Sequence, residues 1–137
     1  MTDYSLKPRL LLADDHEDVL TWVETLLEDE FCIVGTAHDG EGLIEAAALL
    51  RPDLIIADVV MPRMNGISSV RAIRDLLPAC RFVFLSMHNE PDLVREALAA
   101  GASGFVLKVA ADTDLPQAAR DALAGRRFVS ALIHYPD

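Results

Sequence analysis

The chain has 137 residues, with 22 acidic against 12 basic side chains and a formal net charge of −10. That length suits a single domain spanning 1–137, with a core at about 9–129, and is short for two. The acidic balance opposes direct nucleic-acid binding, which needs a basic face, and no apolar run or signal-peptide layout places the chain in or across a membrane, so a cytoplasmic protein is expected.

Hydrophobic residues make up 52% and aromatics 6%, so the core is built from Leu, Ile, Val and Ala. Short apolar runs alternate with stretches of helical periodicity, the pattern of an α/β protein with a doubly wound parallel sheet. Five strands are predicted, at Arg9–Ala13, Phe31–Thr36, Asp53–Ala57, Arg81–Leu85 and Gly104–Leu107. Five helices follow them. The first begins just after Asp15 and turns Val19, Leu20, Val23, Leu26 and Leu27 inward. The second runs over Gly40–Leu50, capped by Asp39, with Leu43, Ala46, Ala47 and Leu50 inward and Pro52 barring its continuation. The third uses Ile67, Val70, Ile73 and Leu77 and closes at Pro78. The fourth opens near Pro91, buries Leu93, Val94, Ala97 and Leu98, and stops at Gly101. The fifth spans roughly Asp114–Leu123, with Pro116 in its first turn and Gly125 past its end. The tail, VSALIHYPD, is left without an assignment. Cys32 and Cys80 lie inside apolar runs and read as buried core thiols.

In open α/β sheets, ligands bind outside the carboxyl ends of the strands. Those ends carry Asp14 and Asp15, Asp58, Ser86 and Lys108, and right-handed crossovers bring them to one edge. Three carboxylates in one cleft call for a cation or a shared proton to offset their charge, and Mg2+ is the natural candidate, since it suits hard oxygen donors beside a phosphate. No His or Cys has zinc-like spacing there. Asp58 stands between the acidic pair and the Ser and Lys, which makes it the candidate nucleophile toward phosphorus. Lys108 would supply a point charge, Ser86 a hydroxyl donor, and backbone amides after Asp58 further donors.

LLLADDHEDV, IIADVVMPRMNG, FLSMH and GASGFVLK, in that order, resemble the receiver domains of two-component response regulators from Leu10 to about Val129. SMHNEPDLVREAL and ALAGRRFVS are most similar to receivers of LuxR-type transcription regulators. The resemblance implies a flavodoxin-like strand order 2-1-3-4-5 and phosphorylation of Asp58 by a histidine kinase or phosphotransfer protein. It implies Mg2+ held by Asp14, Asp15, Asp58 and the carbonyl of Val60, Asp15 more directly than Asp14. Lys108 resembles the phosphate-pairing lysine, Ser86 the switch hydroxyl and Phe105 the switch aromatic. The output face would be formed by helix four, strand five and helix five, which also offers a homodimer surface. Such a chain catalyses its own phosphorylation and dephosphorylation and is not a turnover enzyme.

Three positions depart from the common pattern: Ser86 stands where Thr is frequent, Phe105 lacks a Tyr hydroxyl, and Val109 follows Lys108 in place of Pro. The last leaves the geometry of the Lys108–Val109 bond open, since cis bonds are disfavoured before other residues. Among further residues, His16 reads as a solvated side chain at a helix start and His88 as a group at the pocket mouth. Met61 reads as packed and Trp22 as core edge. Two other functions stay open: an aspartyl-nucleophile phosphatase, and a pseudo-receiver that binds partners without phosphate. A helix-turn-helix domain is not expected within this chain.

Overall fold

The computed structural model describes residues 7–131. The chain runs β1 (Arg9–Ala13), α1 (Glu17–Leu27), β2 (Cys32–Ala37), α2 (Gly40–Leu50), β3 (Leu54–Asp58), α3 (Gly66–Leu76), β4 (Arg81–Ser86), α4 (Pro91–Ala99) and β5 (Gly104–Leu107). A 3-10 turn at Lys108–Ala110, α5 (Ala111–Leu123) and β6 (Phe128–Val129) complete it. The strands form one sheet in the order β2-β1-β3-β4-β5-β6, and every pairing is parallel.

Alternation along each strand sends neighbouring side chains to opposite faces. Leu11, Ala13, Ile55, Ala57, Phe82, Phe84 and Phe105 meet the inner stripes of α2, α3 and α4. Leu10, Leu12, Leu54, Ile56, Val83, Leu85 and Val106 meet α1 and α5. Both faces are therefore covered, which is why β3 reads as an unbroken apolar run closed by one Asp and is buried throughout.

Four expectations need adjustment. The order 2-1-3-4-5 is present, but β6 adds a sixth strand beside β5 where the sequence predicted none; residues from 132 onward lie outside the described part. Helix α5 starts at Ala111 because the 3-10 turn runs straight into it, which places Pro116 inside the helix rather than in its first turn. The N–H that Pro116 lacks would have bonded Asp112, an exposed residue. Cys80 is buried as expected, whereas Cys32 is only partly so, since β2 is an edge strand of intermediate burial. Trp22 is exposed rather than at the core edge.

The remaining start and stop signals hold. Asp39 caps α2 by accepting from the Gly42 N–H and Pro91 occupies the first turn of α4; Asn65, a cap the sequence reading did not name, accepts from the Ser68 N–H at the start of α3. Gly101 and Gly125 adopt φ of +113° and +81°, the left-handed conformation that ends a helix cheaply only at glycine.

Candidate functional site

Because the strands are parallel, their carboxyl ends share one edge, and the side chains predicted to converge are found there. Asp14 follows β1, Asp58 closes β3, Ser86 closes β4, and Lys108 opens the turn after β5. Asp14, Asp58 and Ser86 are buried, in a protein whose other acids are mostly exposed.

Lys108 joins two of the strand ends. Its Nζ lies 2.9 Å from Asp58 Oδ2 and 3.0 Å from Asp14 Oδ2. The contact with Asp58 is a hydrogen bond. The one with Asp14 is an ion pair at nearly the same distance, so Asp14 Oδ2, though buried, has the Lys108 ammonium beside it. Burial acts to lower the Lys108 pKa, but the two carboxylates outweigh it and hold the ammonium above its usual range. Asp58 moves upward as well: burial raises it, and Lys108 and the Val60 amide compensate only in part.

The loop after β3 fixes Asp58 from the other side. The Val60 N–H donates to Asp58 Oδ1 at 3.1 Å. The Gly66 N–H donates to the Val59 carbonyl at 2.8 Å, and a Cβ at Gly66 would stand 2.2 Å from the Asp58 carbonyl oxygen. Gly66 is thus the residue that lets α3 begin against the strand end. Gly40 does the same for α2, where a Cβ would meet the Met64 carbonyl at 2.1 Å. Arg63, itself at φ +62°, ties that loop to the α2 cap through Asp39 at 2.8 Å. Sequence reading holds Gly66 only within the motif IIADVVMPRMNG and misses the close approach at Gly40 and the Arg63–Asp39 pairing. A glycine directly after the capping Asp39 was the available signal.

On the far side of the pocket, Ser86 Oγ accepts the His88 N–H at 2.9 Å, which folds the loop after β4 back on itself. Phe105 is fully buried and packs on Phe84 with ring centroids 6.4 Å apart. Ser86 and Lys108 also edge a groove of about 720 Å³ that continues along Met87, Asn89, Leu107 and Val109. The Lys108–Val109 peptide is trans, as are the others among the described residues.

The acidic pair does not stand alone. Asp14, Asp15 and the ring of His16 offer three ligand atoms within 4.8 Å of one another. Lys108 pairs with Asp14 and Asp58, so one ammonium stands against three carboxylates at this edge and the negative charge is in excess. The donor set fits a divalent cation. Val60 itself is exposed on the rim.

A parallel, doubly wound sheet whose carboxyl edge gathers a buried lysine, three aspartates and a hydroxyl defines a flavodoxin-like α/β protein of the receiver type. The chain belongs to the response regulator receiver domain family, which it matches over residues 10–120. It is 38% identical over 123 residues to the nitrate/nitrite response regulator NarL of Escherichia coli K12, covering 88% of this chain and 57% of that protein. Among solved structures, a LuxR-family two-component response regulator from Aurantimonas sp. SI85-9A1 superposes with a TM-score of 0.87 at 32% identity, over 91% of each chain. The isolated receiver domain of RcsB from Salmonella enterica serovar Typhimurium gives 0.84 at 30% identity, over 91% of this chain and 94% of that one. The chain thus spans about half the length of the curated relatives it matches. Among the described residues no helix is long and apolar enough to cross a membrane.

Proposed function

We propose that this chain is the phosphoacceptor of a two-component phosphorelay, receiving a phosphoryl group on Asp58 from a phosphohistidine of a histidine kinase or phosphotransfer protein. The observation that carries this reading is the Lys108 ammonium held 2.9 Å from Asp58 Oδ2 at the end of a buried strand. It puts positive charge where the oxygens of an incoming phosphoryl group would lie.

In the proposed step a carboxylate oxygen of Asp58 attacks phosphorus in line. The O–P bond forms as the P–N bond to the donor ring breaks, and the ring leaves neutral with its proton on the other nitrogen. Lys108 then pairs with the phosphoryl oxygens. The Val60 amide keeps its hold on the other Asp58 oxygen, limiting rotation of the carboxylate. Ser86 Oγ already accepts from His88, so its own hydrogen is available to donate to the phosphoryl group. Asp14, Asp15, Asp58 and the carbonyl of Val60 are the groups that would hold Mg2+, which when bound offsets the charge gathered on the phosphoryl oxygens. The group is taken up once per chain, not turned over.

A pull of Ser86 toward the phosphoryl group would open space beside Phe105 and bias the face formed by α4, β5 and α5. The partner on that face is proposed to be a second copy of the chain, and the output transcription control, as the names of relatives such as the transcriptional regulatory protein DegU of Brevibacillus brevis suggest. The test is incubation with acetyl phosphate and Mg2+ followed by intact mass. One phosphoryl adduct should appear, vanish in Asp58→Asn, and require the metal. An adduct that survives either change overturns the reading.

A further inference from the structure

We infer that Ser130, oriented by Asp114, is a positioning residue for Lys108: it fixes the end of β5 from which the ammonium reaches Asp58. The inference deepens, and rests on, the phosphoacceptor reading above.

β6 pairs with β5 in the register Gly104↔Phe128 and Phe105↔Val129. Carried one step further, a parallel ladder would give the Leu107 N–H to the Ser130 carbonyl. The strand ends at Val129 instead, and the Ser130 hydroxyl takes the carbonyl's place, accepting the Leu107 N–H at 3.1 Å. The Ser130 N–H still donates to the Phe105 carbonyl at 3.0 Å, so a single buried residue grips β5 on both sides of Val106. The same hydroxyl donates to Asp114 Oδ2 at 2.8 Å. A carboxylate only accepts, which commits the hydroxyl hydrogen to Asp114 and leaves the oxygen lone pairs for Leu107. Asp114 belongs to the first turn of α5, so the contact also joins that helix to the strand.

Leu107 is the common neighbour of the two side chains proposed to meet the phosphoryl group. It precedes Lys108 in the chain and pairs with Ser86 across the sheet. The ladder to β4 secures β5 on one side, and the Ser130 hydroxyl secures it on the other. Lys108 has little freedom to make good a displaced strand end. Its side chain is 13% exposed, with Nζ 2.9 Å from Asp58 Oδ2 and 3.0 Å from Asp14 Oδ2. A shift of about 1 Å at Leu107 would carry the ammonium out of hydrogen-bond reach of a carboxylate, and misplacements of that size can slow a reaction by about a hundredfold. The contacts of Ser130 run to Leu107, Phe105 and Asp114, so its effect on the chemistry passes through the strand.

The test follows uptake from acetyl phosphate with Mg2+ by intact mass, at a temperature where each variant is folded, in wild type, Ser130→Ala, Asp114→Ala and Val129→Ala. Ser130→Ala should slow uptake by at least about tenfold, and Asp114→Ala, which leaves the hydroxyl in place but unoriented, by about threefold. Val129→Ala thins β6 while keeping the hydroxyl and should stay within about twofold of wild type. A second readout separates positioning from general loosening. The magnetic-resonance signal of the Lys108 ammonium protons, sheltered between two carboxylates in the metal-free wild type, should broaden or vanish in Ser130→Ala and persist in Val129→Ala. Uptake in Ser130→Ala within about twofold of wild type overturns the inference. So does equal slowing in Val129→Ala, or slowing in Ser130→Ala with the ammonium signal unchanged. Should Ser130→Ala not fold, Asp114→Ala carries both readouts on the same terms. If the adduct persists in Asp58→Asn, the phosphoacceptor reading itself falls; if it needs Asp58 but ignores Ser130 and Asp114, only the inference does.

Discussion

Asp58 is held in a compromise between chemistry and stability. Burial raises its pKa although a lysine touches it, so the folded chain bears part of the cost of an ionised carboxylate. Asp58→Asn keeps the shape and removes the charge. Without divalent metal it should stabilise the fold, because the burial that raises the Asp58 pKa no longer acts against a charge. Adding Mg2+ should raise the urea midpoint of wild type more than that of the variant, because a ligand of the folded state stabilises in proportion to its affinity. A metal-free midpoint lower in Asp58→Asn would contradict this account. Cys80 shows the same physics away from the site: burial, with Asp53 nearby, pushes its thiol from 9.0 up to about 12. The fold therefore favours the neutral thiol, and this contribution is intact below pH 9 and drains as pH rises through 12. Alkylation at pH 8 should modify the partly buried Cys32 first. Cys80 should react at a rate set by unfolding, and equal rates for both thiols would refute this.

Buried strands and amphipathic helices were legible because each announces itself within ten residues of sequence. Asp14, Asp58, Ser86 and Lys108 could be read as neighbours once the strands were ordered, since parallel topology alone sends them to one edge. What escaped were features made by contacts distant in sequence. β6 is two half-buried residues long, too short for any periodicity, and exists because β5 offers an open edge. Behind it, the hydroxyl of buried Ser130 accepts from the Leu107 N–H at 3.1 Å and donates to Asp114 Oδ2 at 2.8 Å. The Ser130 N–H donates to the Phe105 carbonyl at 3.0 Å. Nothing in the string FVS signals that a hydroxyl there secures the residue preceding Lys108. Ser130→Ala should cost about 1–3 kcal/mol, because a buried N–H is left without a partner. Amide exchange at Leu107 should quicken beyond the global change in stability; uniform exchange would show that β6 is not tied to the site.

The exposed surface carries a conflict that bears on assembly. Net charge of −10 pushes copies of the chain apart, while Met87 and Val109, 78% and 79% exposed, leave an apolar margin on the groove that starts at Ser86 and Lys108. Apolar side chains so placed gain by being covered, but at low ionic strength repulsion over a Debye length of about 30 Å opposes contact, shrinking to about 8 Å at 0.15 M. On the proposed reading, occupation of Asp58 would draw on Ser86 and Lys108, the two residues shared by site and groove, and so should alter this margin before any other surface. Sedimentation velocity is therefore expected to show a monomer without phosphate and a dimer with beryllofluoride, the dimer strengthening as salt rises from 0.01 to 0.15 M. Val109→Asp adds charge at the centre of the apolar margin without touching Asp58 and should abolish the dimer while leaving acetyl phosphate uptake intact. A dimer that weakens with salt would place the association on ion pairs instead, and one that survives Val109→Asp would place it on another face.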